Sequence, residues 1–226
     1  MNYTIIKDPV ALRRFIDWLP DLEWGEAYYC SLFARSKYCP GLSGDKQSVK
    51  RFTSTKEFLY EKIRQLEVVE GSYMQKHAPI PQAGLAMYIT PNPRSYEKAA
   101  KSGMIALAHK VVSKYDGYNP HQLMMSEIQK ACSRRVYVDF DFDGKAVEDV
   151  HEEISSYVNI DCATFIRTRG GFHLLVKASG VAKEYSKTWY NKIAGMDGID
   201  VRGDMLLPVV GCVQGDFTPH FVTVKK

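Results

Sequence analysis

Cysteine pairing is the first thing missing from this chain. Its five cysteines, Cys30, Cys39, Cys132, Cys162 and Cys212, are odd in number and scattered, with no C-x-x-C pair. That argues against a disulfide framework and leaves reduced, buried thiols as the expectation. Cys30 and Cys39 alone are two ligands short of a structural zinc site. Also missing is any apolar run of membrane-spanning length, and the polar start Met1-Asn-Tyr-Thr is not followed by the apolar stretch of a secretory signal. We expect a cytoplasmic protein with no membrane partner. A strong excess of one charge is absent too: 30 basic against 26 acidic residues leave a net +4, which suits a polyanionic partner without demanding one. What is there, 45% hydrophobic and 25% charged residues in 226, is the make-up of a globular protein able to bury a core in one domain or two packed lobes.

The most informative stretch is Arg135-Val-Tyr-Val-Asp-Phe-Asp-Phe-Asp143, followed by Gly144. Side chains alternate along a strand, so Val136, Val138, Phe140 and Phe142 share an apolar face while Asp139, Asp141 and Asp143 share the other. Grouped carboxylates repel one another and ionise most easily beside a cation, which makes a hard, oxygen-preferring ion such as Mg2+ or Mn2+ their natural complement. The bland alternative is a solvated strand end. An EF-hand is excluded: the twelfth loop position is Val150, where a bidentate Glu is needed, and the residues ahead read as strand rather than helix.

Ahead of this stretch, Asp8-Pro9 opens a helix with Leu12, Phe15, Ile16 and Leu19 at helical spacing. Residues 26–35 read as a buried strand that runs into a loop with Arg35 and Lys37 at its mouth. With Lys46, Lys50, Arg51 and Lys56 beyond, this basic run is either a solvated face or a contact for a nucleic-acid backbone. Ser54-x-x-Glu57 reads as a capping box for a helix through Phe58, Leu59, Ile63 and Leu66. A strand over 84–90 and a turn over 91–95 lead to a helix over 96–115. Arg94 and Ser95, at that junction, are either an anion contact or a cap beside a solvated arginine. Asp116-Gly-Tyr-Asn-Pro120 breaks the pattern, and the lobe boundary is expected within 123–132.

Past Arg135 the order becomes β-α-β-β-α-β, with strands expected at 135–142, 162–168, 171–178 and 205–210, helices at 145–157 and 181–194, and Arg169-Gly170-Gly171 turning the hairpin. That order has a known solution, the ferredoxin-like or RRM-like sheet, with strands one and three adjacent at the centre and both helices on one face. The expected fold class is therefore α+β (α/β), an N-terminal α/β lobe over 1–132 packed on an RRM-like palm over 133–226. Phe172, Leu174 and Val176 turn to the helices, so His173 and Lys177 emerge on the open face with Asp139 and Asp141. An RNA-binding sheet displays aromatic rings on that face. Here the phenylalanines are buried and the open face carries acids, so it reads as a metal-dependent phosphoryl-transfer surface.

Three motifs now resemble those of the catalytic core of the archaeo-eukaryotic primase superfamily, the primases and primase-polymerases. Val136-Tyr-Val-Asp-Phe-Asp141 is similar to its hydrophobic-run Asp-x-Asp, Gly171-Phe-His173 to its small-x-His strand, and Ile199-Asp200 to its hydrophobic-Asp third motif. His173 follows Asp141 by 32 residues and Asp200 follows His173 by 27, in keeping with that family. The stretch from Pro208 to Gly215 resembles its closing Pro-x-x-Gly segment. The resemblance spans about 135–215, and over 1–130 it is only general. Leu206-Leu207-Pro208 departs from the pattern, because the family often has a basic residue shortly before this proline; the matching phosphate contact falls to Arg202 or is absent.

The resemblance implies a template-dependent nucleotidyltransferase, a DNA primase or primase-polymerase. Asp139, Asp141 and Asp200 would hold two divalent ions, Mg2+ or Mn2+. His173 and Gly171 would meet the triphosphate, helped by Arg169, Lys177 or Arg202, while Arg35, Lys37, Lys50 and Arg51 would contact nucleic acid. Asp143 is expected as a turn residue, and Asp200 has the rival reading of an ordinary loop residue paired with an arginine. The partners implied are a single-stranded DNA template and primer, NTPs or dNTPs, and a helicase supplied separately. Tyr28, Tyr29, Tyr88 and Tyr137 are the candidates for packing against the ribose 2′ position. The rival functions are a catalytically idle DNA-binding replication protein of the same fold and, more weakly, a metal-dependent nuclease.

Overall fold

Two strands with the same alternation organise the molecule, one in each half. The structure, a computed structural model, describes residues 1–45, 47–113 and 119–224, and of residues 200–202 the backbone alone. Lys46, the end of the helix expected through 115 and the break at 116–118 lie outside the described residues. In chain order the elements are α1 (Pro9–Trp18), β1 (Glu26–Ala34), β2 (Gln47–Ser54), α2 (Lys56–Arg64), a short hairpin of β3 (Met74–Gln75) and β4 (Ala78–Pro79), β5 (Leu85–Ile89), β6 (Arg94–Ser95), α3 (Tyr96–Val112) and α4 (Pro120–Lys130). There follow β7 (Tyr137–Asp143), α5 (Val147–Tyr157), β8 (Ala163–Arg167), β9 (Gly171–Lys177), α6 (Trp189–Ala194), β10 (Ile199–Gly203), β11 (Leu207–Pro208) and β12 (His220–Val222). The fold is mixed α+β with antiparallel sheets. Among the described residues no helix is long and apolar enough to cross a membrane.

The first sheet has the order β11-β5-β1-β2, with β6 also paired to β1. Along β1, Tyr28, Cys30, Leu32 and Ala34 enter a core completed by Leu12 and Phe15 of α1 and Leu59 and Ile63 of α2. Helix α1 starts as its sequence demands, with the Asp8 carboxylate accepting from the amides of Val10 and Ala11 at 3.0 and 2.9 Å. The capping box expected at α2 does not form: Thr55 is the N-cap without a side-chain bond, and the Ser54 hydroxyl donates to the Thr55 carbonyl instead.

The second sheet has the order β10-β7-β9-β8-β12, with every pairing antiparallel. Strands β7 and β9 sit adjacent at the centre, as the β-α-β-β-α-β order requires. Phe140, Phe142, Phe172, Leu174 and Val176 face α5 and α6 and pack with Val147, Val150, Ile154, Trp189 and Ile193. Phe142 and Phe172 are cross-strand partners, and their rings stack at 4.6 Å.

Several elements differ from expectation. The strand beside β7 is 199–203, not 205–210. The apolar run after it crosses to the first sheet, where Leu207 and Pro208 pair with Ile89 and Tyr88. Leu207, Val209, Val210, Cys212 and Val213 are buried in the first core, so the segment after 206 does not stay with the second sheet. Gly211 permits this return: its φ is +79°, and a Cβ there would lie 2.5 Å from the Asp8 carbonyl oxygen. Helix α6 covers only part of 181–194, because residues 182–186 close tighter turns through Tyr185 N–H to Ala182 O and Ser186 N–H to Lys183 O. Helix α4 occupies the expected lobe boundary, and β2 takes up the basic run.

Candidate functional site

The faces of the two sheets turned away from their helices meet across a cleft of about 460 Å³. On the second-sheet side, Asp141 and His173 are direct cross-strand partners on β7 and β9. Asp139, two residues deeper, is wholly buried, and its Oδ1 accepts from His173 Nδ1 at 2.9 Å. A carboxylate can only accept here, so Nδ1 carries the proton. The other ring nitrogen, Nε2, lies 3.6 Å from Asp141 Oδ1. Burial alone pushes the His173 pKa down, but Asp139, through charge and hydrogen bond, and Asp141 outweigh it and hold the imidazole above its ordinary value. The ring is thus held between two acids, which favour its protonated form.

The second oxygen of Asp139, Oδ2, is buried and has no hydrogen-bond partner among the described residues. A buried carboxylate oxygen without a donor is costly, and a hard cation relieves it. The oxygen donors of Asp139 and Asp141 therefore fit Mg2+ or Mn2+. Among the described residues no three His, Cys, Asp or Glu side chains are grouped to hold a metal, so a third donor would be Asp200 or a bound substrate. The Asp200 side chain lies outside the described residues; its backbone is in β10, at a register shift between Ile199 and Val201, with Val201 opposite Asp141.

The opposite wall comes from the first sheet: Tyr29 and Phe33 of β1, Arg51 of β2 and Tyr88 of β5, joined by Gln129 of α4 and by Lys37 and Tyr38 of the loop after β1. Arg35 also lines the cleft but is committed. Its Nε and Nη2 donate to Asp45 at 2.8 and 3.0 Å, and its Nη1 donates to the Tyr88 hydroxyl at 2.6 Å. Tyr88 lies 3.3 Å from the Tyr38 hydroxyl, which accepts from Gln214 at 3.0 Å. Arg51 is pinned by bonds of 3.1 Å from Nε to Ser48 and from Nη1 to Ser126.

Asp141, His173, Arg35, Lys37 and Arg51 are thus brought together, with Asp139 behind them. Others are not. Lys50 adjoins Arg51 on the strand, so it points to the other face and is absent from the cleft lining. Lys177 is exposed, four residues or about 13 Å along β9 from His173. Arg169 turns to Asp216, with its Nε at 2.6 Å, and lies over the Tyr38 ring. Arg202, like Asp200, has its side chain outside the described residues. Gly171 has a packing reason of its own, since a Cβ there would come 1.9 Å from the Phe142 carbonyl oxygen. Arg94 is no solvated cap. It is 2% exposed and binds Asp204 through Nη1 and Nη2 at 2.6 and 2.8 Å. Asn92 donates to the same Asp204 at 3.0 Å and accepts from the amides of Val136 and Tyr137.

Of the four tyrosine candidates, Tyr28 donates to the Pro20 carbonyl and Tyr137 stacks on Trp18, leaving Tyr29 and Tyr88 on the cleft. Asp143, expected as a turn residue, ends β7 and lines the cleft beside Asp141, and Gln129, for which no role is expected, lines it too. Asp143 shares the alternation of Asp139 and Asp141, which was a sufficient signal. The signal for α4 was Asn119-Pro120: the Asn119 side chain caps the helix by accepting from the Gln122 amide at 3.0 Å. Compared with protein-family models, with curated proteins and with solved structures, the chain gave no match.

Proposed function

We propose that the cleft is the reaction site of a template-dependent nucleotidyltransferase, a primase or primase-polymerase that makes or extends primers from nucleoside triphosphates on single-stranded DNA. One observation carries the reading: an acidic wall of Asp141 and Asp143, with Asp139 behind it, faces a wall bearing Arg51 and Lys37 across a cleft of about 460 Å³. A polyphosphate with a divalent counter-ion is complementary to both walls at once. The strand order β10-β7-β9-β8, with α5 and α6 on one face, supports the RRM-like palm and the family resemblance drawn from the motifs.

Asp139 and Asp141, with Asp200 on the neighbouring strand, would hold Mg2+ or Mn2+. Bound there, the ions supply charge neutralisation on the attacking and leaving oxygens of an in-line displacement. Asp139 orients the His173 ring by accepting its Nδ1 proton, which directs Nε2 towards Asp141 and the cleft. Lys37 and Arg51 offer the positive surface that a nucleotide or a strand backbone needs. Template, primer and a separate helicase are the partners of this reading.

A second reading has its own support. His173 bonds Asp139 and lies 3.6 Å from Asp141, so both acids have a protein partner before any metal binds, and the fold can stand as a catalytically idle DNA-binding protein. The test is nucleotide incorporation on a single-stranded template, with and without primer, in Mg2+ or Mn2+. Asp141→Ala, at a partly exposed position, is expected to lower incorporation by on the order of 100-fold or more while folding and DNA binding persist. Wild type that binds DNA but incorporates nothing in either metal overturns the proposal in favour of the binder. Shortening of labelled DNA without added nucleotides would instead identify a nuclease.

A further inference from the structure

We infer that Tyr29 and Arg51 form an oxyanion seat on the first-sheet wall, which takes a phosphate group of whatever ligand the acidic wall faces. The Tyr29 side chain is wholly buried and lines the cleft, yet its hydroxyl makes no well-formed hydrogen bond among the described residues, and the Ser31 hydroxyl beside it is spent on Ser48 and the Lys50 carbonyl. Its neighbours on the same strand face are all engaged. Ser31 is bonded to Ser48 at 2.9 Å, Thr53 accepts from Tyr96 at 2.8 Å, and the Tyr88 hydroxyl accepts from Arg35. A buried hydroxyl left without a partner is expensive, so a missing acceptor is the natural explanation of this one.

The acceptor is anionic because of what stands beside it. Arg51 is in the strand paired with β1, opposite Ser31, and its guanidinium is held in place by Ser48 and Ser126 before any ligand arrives. It is close enough to pull the Tyr29 pKa down against the larger upward push of burial. Among the described residues no carboxylate lines this wall, and nearby Asp45 is held by Arg35. The facing wall is acidic, so an occupant must offer anionic oxygens to one side and bound cationic charge to the other. A phosphate group accompanied by a divalent cation does both. Of the other basic candidates, Lys37 joins this wall from the loop after β1, whereas Arg169 goes to Asp216 and Lys177 lies beyond the cleft. The seat stands on this geometry alone; only its assignment to a nucleotide's phosphate rests on the proposed function.

Binding of inorganic pyrophosphate, adenosine triphosphate and adenosine to the full chain in Mg2+, followed by calorimetry, tests the seat. Tyr29→Phe removes one hydroxyl and no volume, so its thermal midpoint should equal or exceed that of wild type. We expect Tyr29→Phe to weaken pyrophosphate and triphosphate binding about 10-fold, and Arg51→Gln to weaken both at least as much, with adenosine unaffected. If Tyr29→Phe binds both anions as tightly as wild type, or if wild type binds neither, the seat is refuted. If wild type binds pyrophosphate in a Tyr29-dependent way but ignores the triphosphate, the seat stands and the nucleotide assignment falls.

Discussion

On β7 and β9 the residues turned from the helices include Asp139, Asp141 and His173; on β1 and β5 those turned from the first core include Tyr29, Phe33 and Tyr88. Both walls follow the same two-residue alternation, and both strand pairs are almost wholly buried. They differ in chemistry. The second wall carries acids that need partners, and His173 meets both Asp139 and Asp141. The first carries phenols whose hydroxyls need partners; Arg35 supplies one to Tyr88, whereas Tyr29 has the Ser31 hydroxyl beside it without a well-formed bond. Tyr28 and Tyr29 are adjacent and of one type, yet the first is in the core and the second on the cleft. Alternation marks a site only where it also alternates polarity.

The sharpest way to break the comparison is to uncouple the walls. Arg94, at the first sheet, grips Asp204, which leads out of β10, and both are largely buried. Arg94→Met leaves the Asp204 charge unpaired and is expected to cost about 3–5 kcal/mol in denaturant unfolding, with the double change Arg94→Met/Asp204→Leu recovering much of that. Burial pushes the Asp204 carboxyl up, but bonds from Arg94 and Asn92 outweigh it and hold the group below its ordinary value of 3.8. A lowered pKa contributes stability that is present above 3.8 and lost as pH falls through the folded value. Asp204→Asn should therefore flatten the acid limb of the stability curve. An unchanged limb would deny the pair its role.

A second change strikes one wall alone. Gly171 stands opposite Asp143, and a methyl group there would lie 1.9 Å from a backbone oxygen that no rotamer can move. Gly171→Ala is expected to cost about 1–3 kcal/mol and to loosen the Phe142–Phe172 stack. Hydrogen exchange should then quicken in β7 and β9 before β1 and β5. Equal quickening in both sheets would mean that the walls are one cooperative unit.

The two walls were unequally legible for the same reason. In β7 the acids interrupt a valine and phenylalanine pattern, so the face, its cross-strand histidine and the central strand pair could all be read from residue types. In β1 both faces are aromatic or small, and burial was visible but sidedness was not. The run from Leu206 to Val210 announces burial without saying in which sheet, so the sequence places the last strand at 205–210, and nothing in residue types separates the true edge strand β10 from a loop. Arg94 is placed by its sequence at the strand–helix junction but not paired, because its partner is 110 residues away. Strand β2, half-exposed and basic, carried no period to separate Arg51 from Lys50.

The smallest effect lies within the first wall, between its two cleft tyrosines. Tyr88→Phe deprives Arg35 of an acceptor at 2.6 Å and breaks the link to Tyr38. A net loss of about 1 kcal/mol is expected, since one buried hydrogen bond is removed and the guanidinium keeps its two bonds to Asp45. Tyr29→Phe removes an equally buried hydroxyl that makes no well-formed hydrogen bond among the described residues, and should cost little or nothing. Paired urea denaturation of the two variants measures the difference directly. If both lose the same stability, the Tyr29 hydroxyl already has a partner in the free protein, and the asymmetry that singles it out as a ligand contact disappears.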